Sequence, residues 1–367
     1  MKKILRVDLQ NQWIQEKNKL LPAIKKTLES GSYVNSKIIY DLEKKLAKYN
    51  NAKYCVCTNS GTDALTLALY VLGVKNGDEV ITPPNSFIAS TASIAHLKAK
   101  PIFCDVNDQQ MIDEKIIENL ITKTTKVIMP VHLCGRMANM IAIKKIAKKY
   151  KLKIVEDCAQ AIGSKLFKKK SGTYGDIGCF STHPLKNLNA CGDGGFIITN
   201  NYQYYKKIKN LINHGLVSRN KSSCFAYVSR MDSIQAAILL ERLKTLDDRI
   251  VKRRKIAEIY FKELKNLPII LPLENKNEFN TYHLFVIQTN KRNSLMSYLK
   301  LKGIETGIHY PIPIHKQIAF KKISDSKKVY KKTESQAKSI LSLPVNEFLK
   351  KEEVHFICKS IHNFFYE

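Results

Sequence analysis

The stretch "KYCVCTNSGTDALTLALYVLGV", residues 53–74, decides the fold of this chain. Its first part is a short apolar run of strand length, and its second part carries apolar residues at the spacing of a helix. A small polar turn, "TNSGT" at 58–62, separates the two parts. A strand followed at once by a helix is the repeating unit of an α/β protein.

The same alternation continues to about residue 200. Six further apolar runs predict strands: "DEVITPP" (78–84), "KPIFCDV" (100–106), "KVIMPVHL" (126–133), "LKIVEDCA" (152–159), "DIGCFST" (176–182) and "GGFIITN" (194–200). Helical patterns lie between several of them, such as "SFIASTASIAHLK" (86–98) and "NMIAIKKIAKKY" (139–150). Unbroken apolar strands separated by helices favour a mostly parallel sheet with helices on both faces. We therefore predict an α/β fold with a seven-stranded sheet.

The last third of the chain has a different organisation. The pattern is helical from about 205 to 265, and a small α+β unit follows, with a strand "YHLFVIQT" (282–289), a helix "RNSLMSYLKLKG" (292–303) and a final helix "EEVHFICKSIHNFF" (352–365). We predict two domains. Residues 1–245 form a large domain that begins with a helical segment, and residues 246–367 form a smaller C-terminal α+β domain.

The chain is strongly basic, with 61 Lys and Arg against 32 Asp and Glu and a net charge of +29. A basic field attracts nucleic-acid phosphates. Here, however, the excess is mostly lysine in scattered runs such as "KKIAKKYKLK" (144–153), and no zinc-finger, RNP or basic-zipper pattern is present. We expect no nucleic-acid partner, while a weak attraction for a phosphorylated small substrate is compatible with this charge.

The nine cysteines form no CxxC pair and no Cys/His cluster at zinc spacing. We interpret them as free thiols and expect no metal site, which is typical of a reducing compartment. The N-terminal sequence "MKKILRVDLQNQW" lacks the long apolar region of a signal peptide, and no apolar run reaches membrane-spanning length. The prediction is a cytoplasmic protein without a membrane partner.

Several predicted strands end in small polar clusters: "TNSGT", "PPNSF", "VHLCGR", "EDCAQ" and "STHPLK". In an open α/β sheet the ligand binds outside the carboxyl ends of the strands. These five clusters therefore predict one site at one edge of the sheet.

Two of the clusters contain groups that suit an aromatic, phosphorylated ligand. Asp157 ends a buried strand, where its carboxylate can hold a protonated ring nitrogen or cap the next helix, and Gln160 lies three residues further on. Ser60, Gly61 and Thr62 begin a helix, where backbone N–H groups suit a phosphate; plain helix capping is the alternative.

Phe87 and Lys186 complete the set. Phe87 follows a strand end and can cover a planar ligand, although a core position is the alternative. Lys186 lies in "HPLKN" ahead of the turn "GDGG", and lysine serves as a Schiff-base nucleophile in carbonyl and amine chemistry. A phosphate site, a carboxylate, a stacking aromatic ring and a lysine are together what pyridoxal phosphate (PLP) requires.

The sequence resembles the DegT/StrS family of PLP-dependent sugar aminotransferases. The similarity runs nearly end to end, through "SGTDALTLAL" (60–69), "IVEDCAQAIGS" (154–164), "GDIGCFSTHPLKNLNACGDGG" (175–195), "HYPIPIH" (309–315) and "LSLPVNEF" (341–348). It implies an aspartate-aminotransferase-like fold (PLP fold type I), with a large domain built on the mostly parallel sheet and a smaller α+β domain.

The resemblance also implies roles for single residues. Lys186 would be the lysine that carries the cofactor, and Asp157 and Gln160 would bind the ring nitrogen and the ring hydroxyl. Gly61 and Thr62, joined by Ser181, would hold the phosphate, and Phe87 would stack on the ring. Substrate contacts are implied for four residues in family motifs, each with a packing or turn role as its alternative: His132, His309, Tyr310 and His315.

One position departs from the family pattern. The family usually shows "GYNxR", whose Asn reaches the phosphate in the neighbouring subunit, whereas this chain reads "AYVSRM" at 226–231. Val228 cannot donate that hydrogen bond, so the contact is lost or replaced by a neighbour such as Ser229. Arg230 remains as a candidate for binding a substrate anion across a dimer interface.

The function that the resemblance implies is transfer of an amino group from L-glutamate to a keto-sugar nucleotide, with release of 2-oxoglutarate. The product would be an amino-sugar nucleotide for glycan or secondary-metabolite biosynthesis, and the enzyme would be a homodimer with active sites at the interface. The alternatives are a PLP-dependent sugar dehydratase, in which a histidine would replace Lys186, and a catalytically idle regulatory or binding relative.

Overall fold

The computed structural model describes residues 3–321 and 328–366. The strands are β1 (Tyr54–Thr58), β2 (Glu79–Thr82), β3 (Lys100–Phe103), β4 (Thr125–Ile128), β5 (Lys153–Asp157), β6 (Lys165–Leu166), β7 (Lys169–Lys170), β8 (Ile177–Ser181), β9 (Gly195–Thr199), β10 (Leu216–Ser218), β11 (Lys221–Ser222), β12 (Glu278–Phe279), β13 (Phe285–Gln288) and β14 (Ile340–Leu343).

The α-helices surround these strands. They are α1 (Leu9–Glu29), α2 (Lys37–Asn50), α3 (Gly61–Val71), α4 (Ile88–His96), α5 (Met140–Lys149), α6 (Tyr202–Leu211), α7 (Ser233–Leu243), α8 (Leu246–Leu264), α9 (Arg292–Leu301), α10 (Lys331–Ser339) and α11 (Lys351–Tyr366). Within the described parts of the chain, no helix is both long enough and apolar enough to span a membrane.

Seven strands form the central sheet in the order β1-β9-β8-β5-β4-β2-β3. All of them run parallel except β9, which is antiparallel to both of its neighbours. The chain between β8 and β9 contains no helix that could carry it back across the sheet, so β9 starts at the edge where β8 ends. The prediction of an α/β fold with a mostly parallel seven-stranded sheet is confirmed.

Helix α3 is the most deeply placed element on one face of the sheet. Its residues Leu65, Leu67 and Leu69 are all buried and pack in one cluster with strand residues such as Val155 and Ile197. Protein surrounds this helix on both sides, so its sequence is apolar all round and not only along one face. Burial of this helix fixes its first residues at the carboxyl end of β1.

A second apolar cluster lies in the C-terminal part of the chain. Helices α8, α9 and α11 pack around the antiparallel pair β13–β14, with Tyr260, Phe285 and Leu341 fully buried among them. Ile4 at the other end of the chain pairs with Ile304 and joins this cluster. The division into domains at residue 245, at the junction of α7 and α8, stays a prediction.

Candidate active site

The carboxyl ends of the parallel strands surround a cavity of about 330 Å³. A cavity of this size suits a small cofactor together with part of a substrate. The residues singled out from the sequence that line it are Ser60, Gly61, Thr62, Phe87, Asp157, Gln160, Ser181, Lys186, His309 and Tyr310. The structure thus brings together side chains that are up to 250 positions apart in the chain.

The start of α3 forms one end of the cavity. Ser60 is the N-cap of this helix, and its hydroxyl accepts a hydrogen bond of 3.1 Å from the backbone N–H of Asp63. Gly61 and Thr62 open the helix, where N–H groups have no partner within the helix. A Cβ atom on Gly61 would lie 2.7 Å from Cβ of Ser181, so only glycine lets β8 approach this closely. Capping and an anion-binding helix terminus therefore occur together here.

Asp157 lies at the end of β5 and is 3% exposed. Its Oδ2 accepts a 2.7 Å hydrogen bond from the hydroxyl of Ser90, and its Oδ1 accepts one of 3.1 Å from the backbone N–H of Ala159. These two bonds fix the carboxylate against α4 and leave a lone pair on each oxygen for a further donor. Such a buried anion is suited to bind a protonated ring nitrogen.

Gln160 is held on both sides of its amide. Its Oε1 accepts a 2.7 Å hydrogen bond from the backbone N–H of Cys134, and its Nε2 donates one of 3.1 Å to the hydroxyl of Tyr310. Burial raises the pKa of the Tyr310 hydroxyl, which therefore stays protonated. Its proton is free to be donated into the cavity.

Phe87 is 55% exposed, which contradicts the alternative of a core position. Its ring lies over the cavity with its centroid 5.6 Å from that of Tyr310, at an interplanar angle of 42°. An exposed aromatic face at this place is available to a planar ligand.

Lys186 enters the cavity from the segment after β8. Its backbone N–H donates a 2.9 Å hydrogen bond to the carbonyl oxygen of His183, which forms a turn. Burial lowers the pKa of the Lys186 ammonium, while the carboxylate of Asp157 acts in the opposite direction. A lysine with a lowered pKa can act both as a nucleophile and as a proton carrier.

Three histidines line the same cavity: His183, His283 and His309. Nδ1 of His309 lies 2.8 Å from Oγ of Ser342, and burial together with the nearby cations Arg6 and Lys186 lowers the pKa of His309 to about 4. His283 is 9% exposed, and burial, followed by the charge of Lys186, lowers the pKa of its ring well below the ordinary value. Both rings are therefore neutral at neutral pH.

Several polar lining residues were not found from the sequence, among them Arg6, Ser90, His183 and His283. Ser90 lies in a helix that the sequence predicted, but nothing marked its hydroxyl as the partner of Asp157. Arg6 and His283 come from opposite ends of the chain, and no local motif connects them to the strand ends. The one available signal was His183, which lies inside the quoted motif "HPLKN".

His132 and His315 do not line the cavity. Nε2 of His132 lies 2.8 Å from Oε2 of Glu156, and its Nδ1 accepts a hydrogen bond from the backbone N–H of Ala138, so both ring nitrogens have partners. Nε2 of His315 lies 3.0 Å from Oε1 of Glu334. Both side chains are fully buried, and a substrate contact for either of them stays a prediction.

His132, Glu156 and Cys158 form a buried cluster of side chains of the kinds that can ligate a metal. The contacts of the Glu156 carboxylate account for this cluster without a metal. Besides the contact with His132, the two oxygens of Glu156 accept hydrogen bonds from three backbone N–H groups, those of Gly172, Tyr174 and Gly175. Its lone pairs are in use, so this group stabilises the fold around β5.

Arg230 and the neighbouring positions lie outside the cavity. Nη1 of Arg230 donates a 3.0 Å hydrogen bond to Oδ1 of Asn213, and Val228 is 48% exposed. Ser229, in contrast, is fully buried and donates a 3.1 Å hydrogen bond to Oδ1 of Asn59 in its own chain. Whether the contact of the family's asparagine is lost or taken over by a neighbour such as Ser229 is not tested by the single chain and stays a prediction. The role of Arg230 across an interface stays a prediction.

The side chains in the cavity fit PLP. The space kept free by Gly61 beside Ser181 and the N–H groups of α3 suit a phosphate. Asp157 suits the ring nitrogen, and Lys186 suits the aldehyde. The fit rests on the donor set and on the backbone approach at Gly61, both of which are properties of this chain.

Residues 14–362 match the model of the DegT/DnrJ/EryC1/StrS aminotransferase family. The chain is 35% identical over 358 residues to the UDP-2-acetamido-2-deoxy-3-oxo-D-glucuronate aminotransferase of Pseudomonas aeruginosa, covering 97% of this chain and 99% of the relative. It is 38% identical over 362 residues to the dTDP-3-amino-3,6-dideoxy-alpha-D-galactopyranose transaminase of Aneurinibacillus thermoaerophilus, covering 98% and 99%.

The fold is also similar to that of a solved structure. The crystal structure of ntda from Bacillus subtilis with bound cofactor PMP superimposes with a TM-score of 0.93 at 32% identity. The match covers 100% of this chain and 86% of that chain.

Proposed function

The chain belongs to the DegT/DnrJ/EryC1/StrS aminotransferase family, and on that premise we propose that it transfers the amino group of L-glutamate to a keto-sugar nucleotide. The protein is a sugar aminotransferase, and its cofactor is pyridoxal 5'-phosphate. The product of the proposed reaction is an amino-sugar nucleotide for glycan or secondary-metabolite biosynthesis, and 2-oxoglutarate is released.

The observation that carries the proposal is the position of Lys186 in one cavity with Asp157. PLP, when bound, supplies an aldehyde that combines with amines and a protonated ring that takes up negative charge. Asp157, fixed by Ser90, would keep the ring nitrogen protonated. Lys186, whose pKa is lowered by burial, would carry a proton to and from the reacting carbon.

The other cavity residues position and shield the reactants. The start of α3 would hold the phosphate, and Phe87 would cover the ring. The hydroxyl of Tyr310, oriented by Gln160, donates a hydrogen bond toward the substrate. His283 and His309 remain neutral, so they add no positive charge that would compete with the proton on Lys186.

The relatives support a nucleotide-linked sugar as the acceptor, because their names contain a UDP-sugar and a dTDP-sugar. A PLP-dependent dehydratase is the alternative within the same fold, and the presence of Lys186 argues against it. A catalytically idle relative would not need a lysine with a lowered pKa in the cavity.

We also propose a homodimer that works in the cytoplasm. Several apolar side chains around the β10–β11 hairpin are exposed in the single chain, among them Val217, Phe225, Tyr227 and Val228. Exposed apolar groups of this kind are typical of an interface. The cysteines among the described residues are all free, which suits a reducing compartment. Sedimentation of the purified protein tests the dimer.

The proposed reaction is tested in the reverse direction, from an amino-sugar nucleotide to glutamate. A panel of amino-sugar nucleotides with UDP or dTDP is incubated with the holoenzyme and 2-oxoglutarate, and formation of glutamate is measured. We expect at least one amino-sugar nucleotide to yield glutamate, and the Lys186→Ala variant to yield none. Release of water from a sugar nucleotide without glutamate formation would identify the dehydratase, and a protein that binds no PLP would be the idle relative.

A further inference from the structure

Arg6 places a positive charge in the active-site cavity. The side chain lines the cavity, as do His309 and Tyr310. Among residues 3–321 and 328–366, no carboxylate lies within 4.0 Å of its guanidinium nitrogens, and the one hydrogen bond found for Arg6 involves its backbone N–H, which donates to Oε2 of Glu305 at 3.2 Å. The charge of Glu305 acts on Arg6 as that of Asp157 acts on Lys186, but the Glu305 carboxylate is hydrogen-bonded to the backbone N–H of Arg6 and is not paired with the guanidinium.

The backbone on both sides of Arg6 is fixed. Ile4 exchanges hydrogen bonds with the backbone of Gly303 and Glu305, each at 2.9 Å, and Nδ2 of Asn346 donates to the carbonyl oxygen of Leu5 at 2.8 Å. Asp8 then caps α1, by accepting a 2.9 Å hydrogen bond from Asn11. The extended N-terminal segment therefore presents the Arg6 side chain from a defined position.

The side chain of Arg6 lies beside that of His309. A Cβ atom on Gly307 would lie 3.3 Å from Nε of Arg6 and 3.1 Å from Cε1 of His309, so glycine leaves the room in which these two side chains lie side by side. Tyr310, the residue after His309, contacts Gln160 and Phe87. Arg6 thus lies beside His309, the residue before Tyr310, on the wall of the cavity.

Burial lowers the pKa of Arg6, and the charge of Glu305 raises it to a smaller extent. Arginine nevertheless stays protonated in proteins, so the cation must be solvated or paired in every state of the enzyme. The neighbouring His309 is neutral and supplies no negative charge. A substrate that displaces water from this wall must therefore bring a negative charge or lose binding energy.

We propose that Arg6 binds a carboxylate of the substrate, and thereby selects substrates that carry one close to the reacting amino or keto group. The inference rests on the proposed aminotransferase function. A planar guanidinium matches a carboxylate with two parallel hydrogen bonds, a geometry that a sugar hydroxyl does not offer. The carboxylate has two possible sources with the same chemistry: the amino-acid donor, or an acidic hexose ring of the uronate type.

Equilibrium binding to the holoenzyme tests this without any turnover. The probes are two matched pairs. The first is glutarate and its neutral diamide. The second is nucleotide-linked glucuronate and nucleotide-linked glucose, each used both as the UDP-sugar and as the dTDP-sugar. Dissociation constants are measured by calorimetry for the wild type, Arg6→Gln, Arg6→Lys and the control Lys3→Gln. Lys3 is an exposed cation in the same N-terminal segment and does not line the cavity.

Arg6→Gln is expected to weaken binding of at least one carboxylate probe about tenfold or more and to leave its neutral counterpart unchanged. Arg6→Lys is expected to lose less, and Lys3→Gln nothing. A selective loss for glutarate assigns the donor carboxylate, and one for glucuronate assigns an acidic sugar. The proposal is overturned if no carboxylate probe is selectively weakened, or if the neutral probes are weakened equally. A wild type that binds the probes but forms no glutamate in the reverse assay would overturn the proposed function and not this inference.

Discussion

The hydroxyl of Ser90 donates a 2.7 Å hydrogen bond to Oδ2 of Asp157, and both residues are almost completely buried. One lies in α4 and the other at the end of β5, so this bond connects the helix after β2 to the strand that ends in the carboxylate proposed to bind the cofactor ring. The orientation of Asp157 toward the cofactor thus depends on a serine 67 positions away.

Substitution of Ser90 by alanine is expected to weaken cofactor binding about tenfold, because a hydrogen bond to a charged group contributes about 1.5–3 kcal/mol. The measurement is the dissociation constant of PLP from absorbance titration of the apoenzyme. Ser93→Ala is the matched control, since Ser93 lies in the same helix, is buried and donates only to the backbone of Ser90. Equal effects of the two substitutions would show that the contact with Asp157 has no special importance.

Substitution of Gly61 by alanine is expected to disturb both the phosphate site and the packing of α3 on β8. The added methyl group would lie 2.7 Å from Cβ of Ser181, and overpacking of this kind typically costs about 1–3 kcal/mol. We expect weaker PLP binding together with a lower urea midpoint of the apoenzyme. Gly192→Ala is the control, because its new methyl group would meet only the end of the Gln235 side chain. An unchanged PLP affinity in Gly61→Ala would contradict the assignment of the phosphate site.

The lowered pKa of Lys186 predicts how the apoenzyme captures PLP. Only the neutral amine reacts, so the rate of covalent capture rises with pH, with a midpoint below the ordinary lysine value of 10.5. The carboxylate of Asp157 holds the pKa up, and Asp157→Asn is expected to move the midpoint further down. Stopped-flow absorbance across a pH series measures both midpoints. A midpoint at or above 10.5 in the wild type would show that burial does not control this lysine.

The pKa of His309, which is lowered to about 4, makes the stability of the fold depend on pH. The unfolded chain binds a proton near pH 6.5 while the folded chain does not, so the contribution of this residue is present above pH 6.5 and is lost as the pH falls toward 4. The loss is at most about 3 kcal/mol, at 1.36 kcal/mol for each pKa unit.

His309→Asn removes this effect. Urea unfolding at pH 7 and at pH 4.5 is therefore expected to show a smaller difference between the two pH values for the variant than for the wild type. His355→Asn serves as the control, because His355 lies on α11, outside the cavity. The same pH dependence in His309→Asn and the wild type would show that His309 does not titrate as inferred.

The sequence predicted the central sheet and the cofactor set because both are encoded locally. Each strand is a continuous apolar run, and each site residue between Ser60 and Lys186 follows one of these runs by a few positions. Parallel strands bring their carboxyl ends to one edge, so proximity in space followed from the fold class. The antiparallel orientation of β9 could not be predicted in this way, because an apolar run does not show whether a strand runs parallel or antiparallel to its neighbours.

The residues that were missed depend on contacts between distant segments. Arg6 reaches the cavity because Ile4 pairs with Ile304, and no periodicity in either segment indicates this pairing. His132 and His315 show the opposite case, because their motifs resemble site motifs while Nε2 of each ring contacts a carboxylate outside the cavity, that of Glu156 or of Glu334. A histidine in a motif gives no indication of which partner its ring will find in the folded chain.

The central claim is that Lys186, among 61 lysine and arginine residues, is the one that carries the cofactor. The most direct measurement is reduction of the PLP-loaded protein with borohydride, followed by digestion and mass spectrometry of the labelled peptides. We expect one pyridoxyl label for each chain, on Lys186, and none in Lys186→Ala treated in the same way. A label on another lysine in the wild type, or an undiminished label in Lys186→Ala, would contradict it.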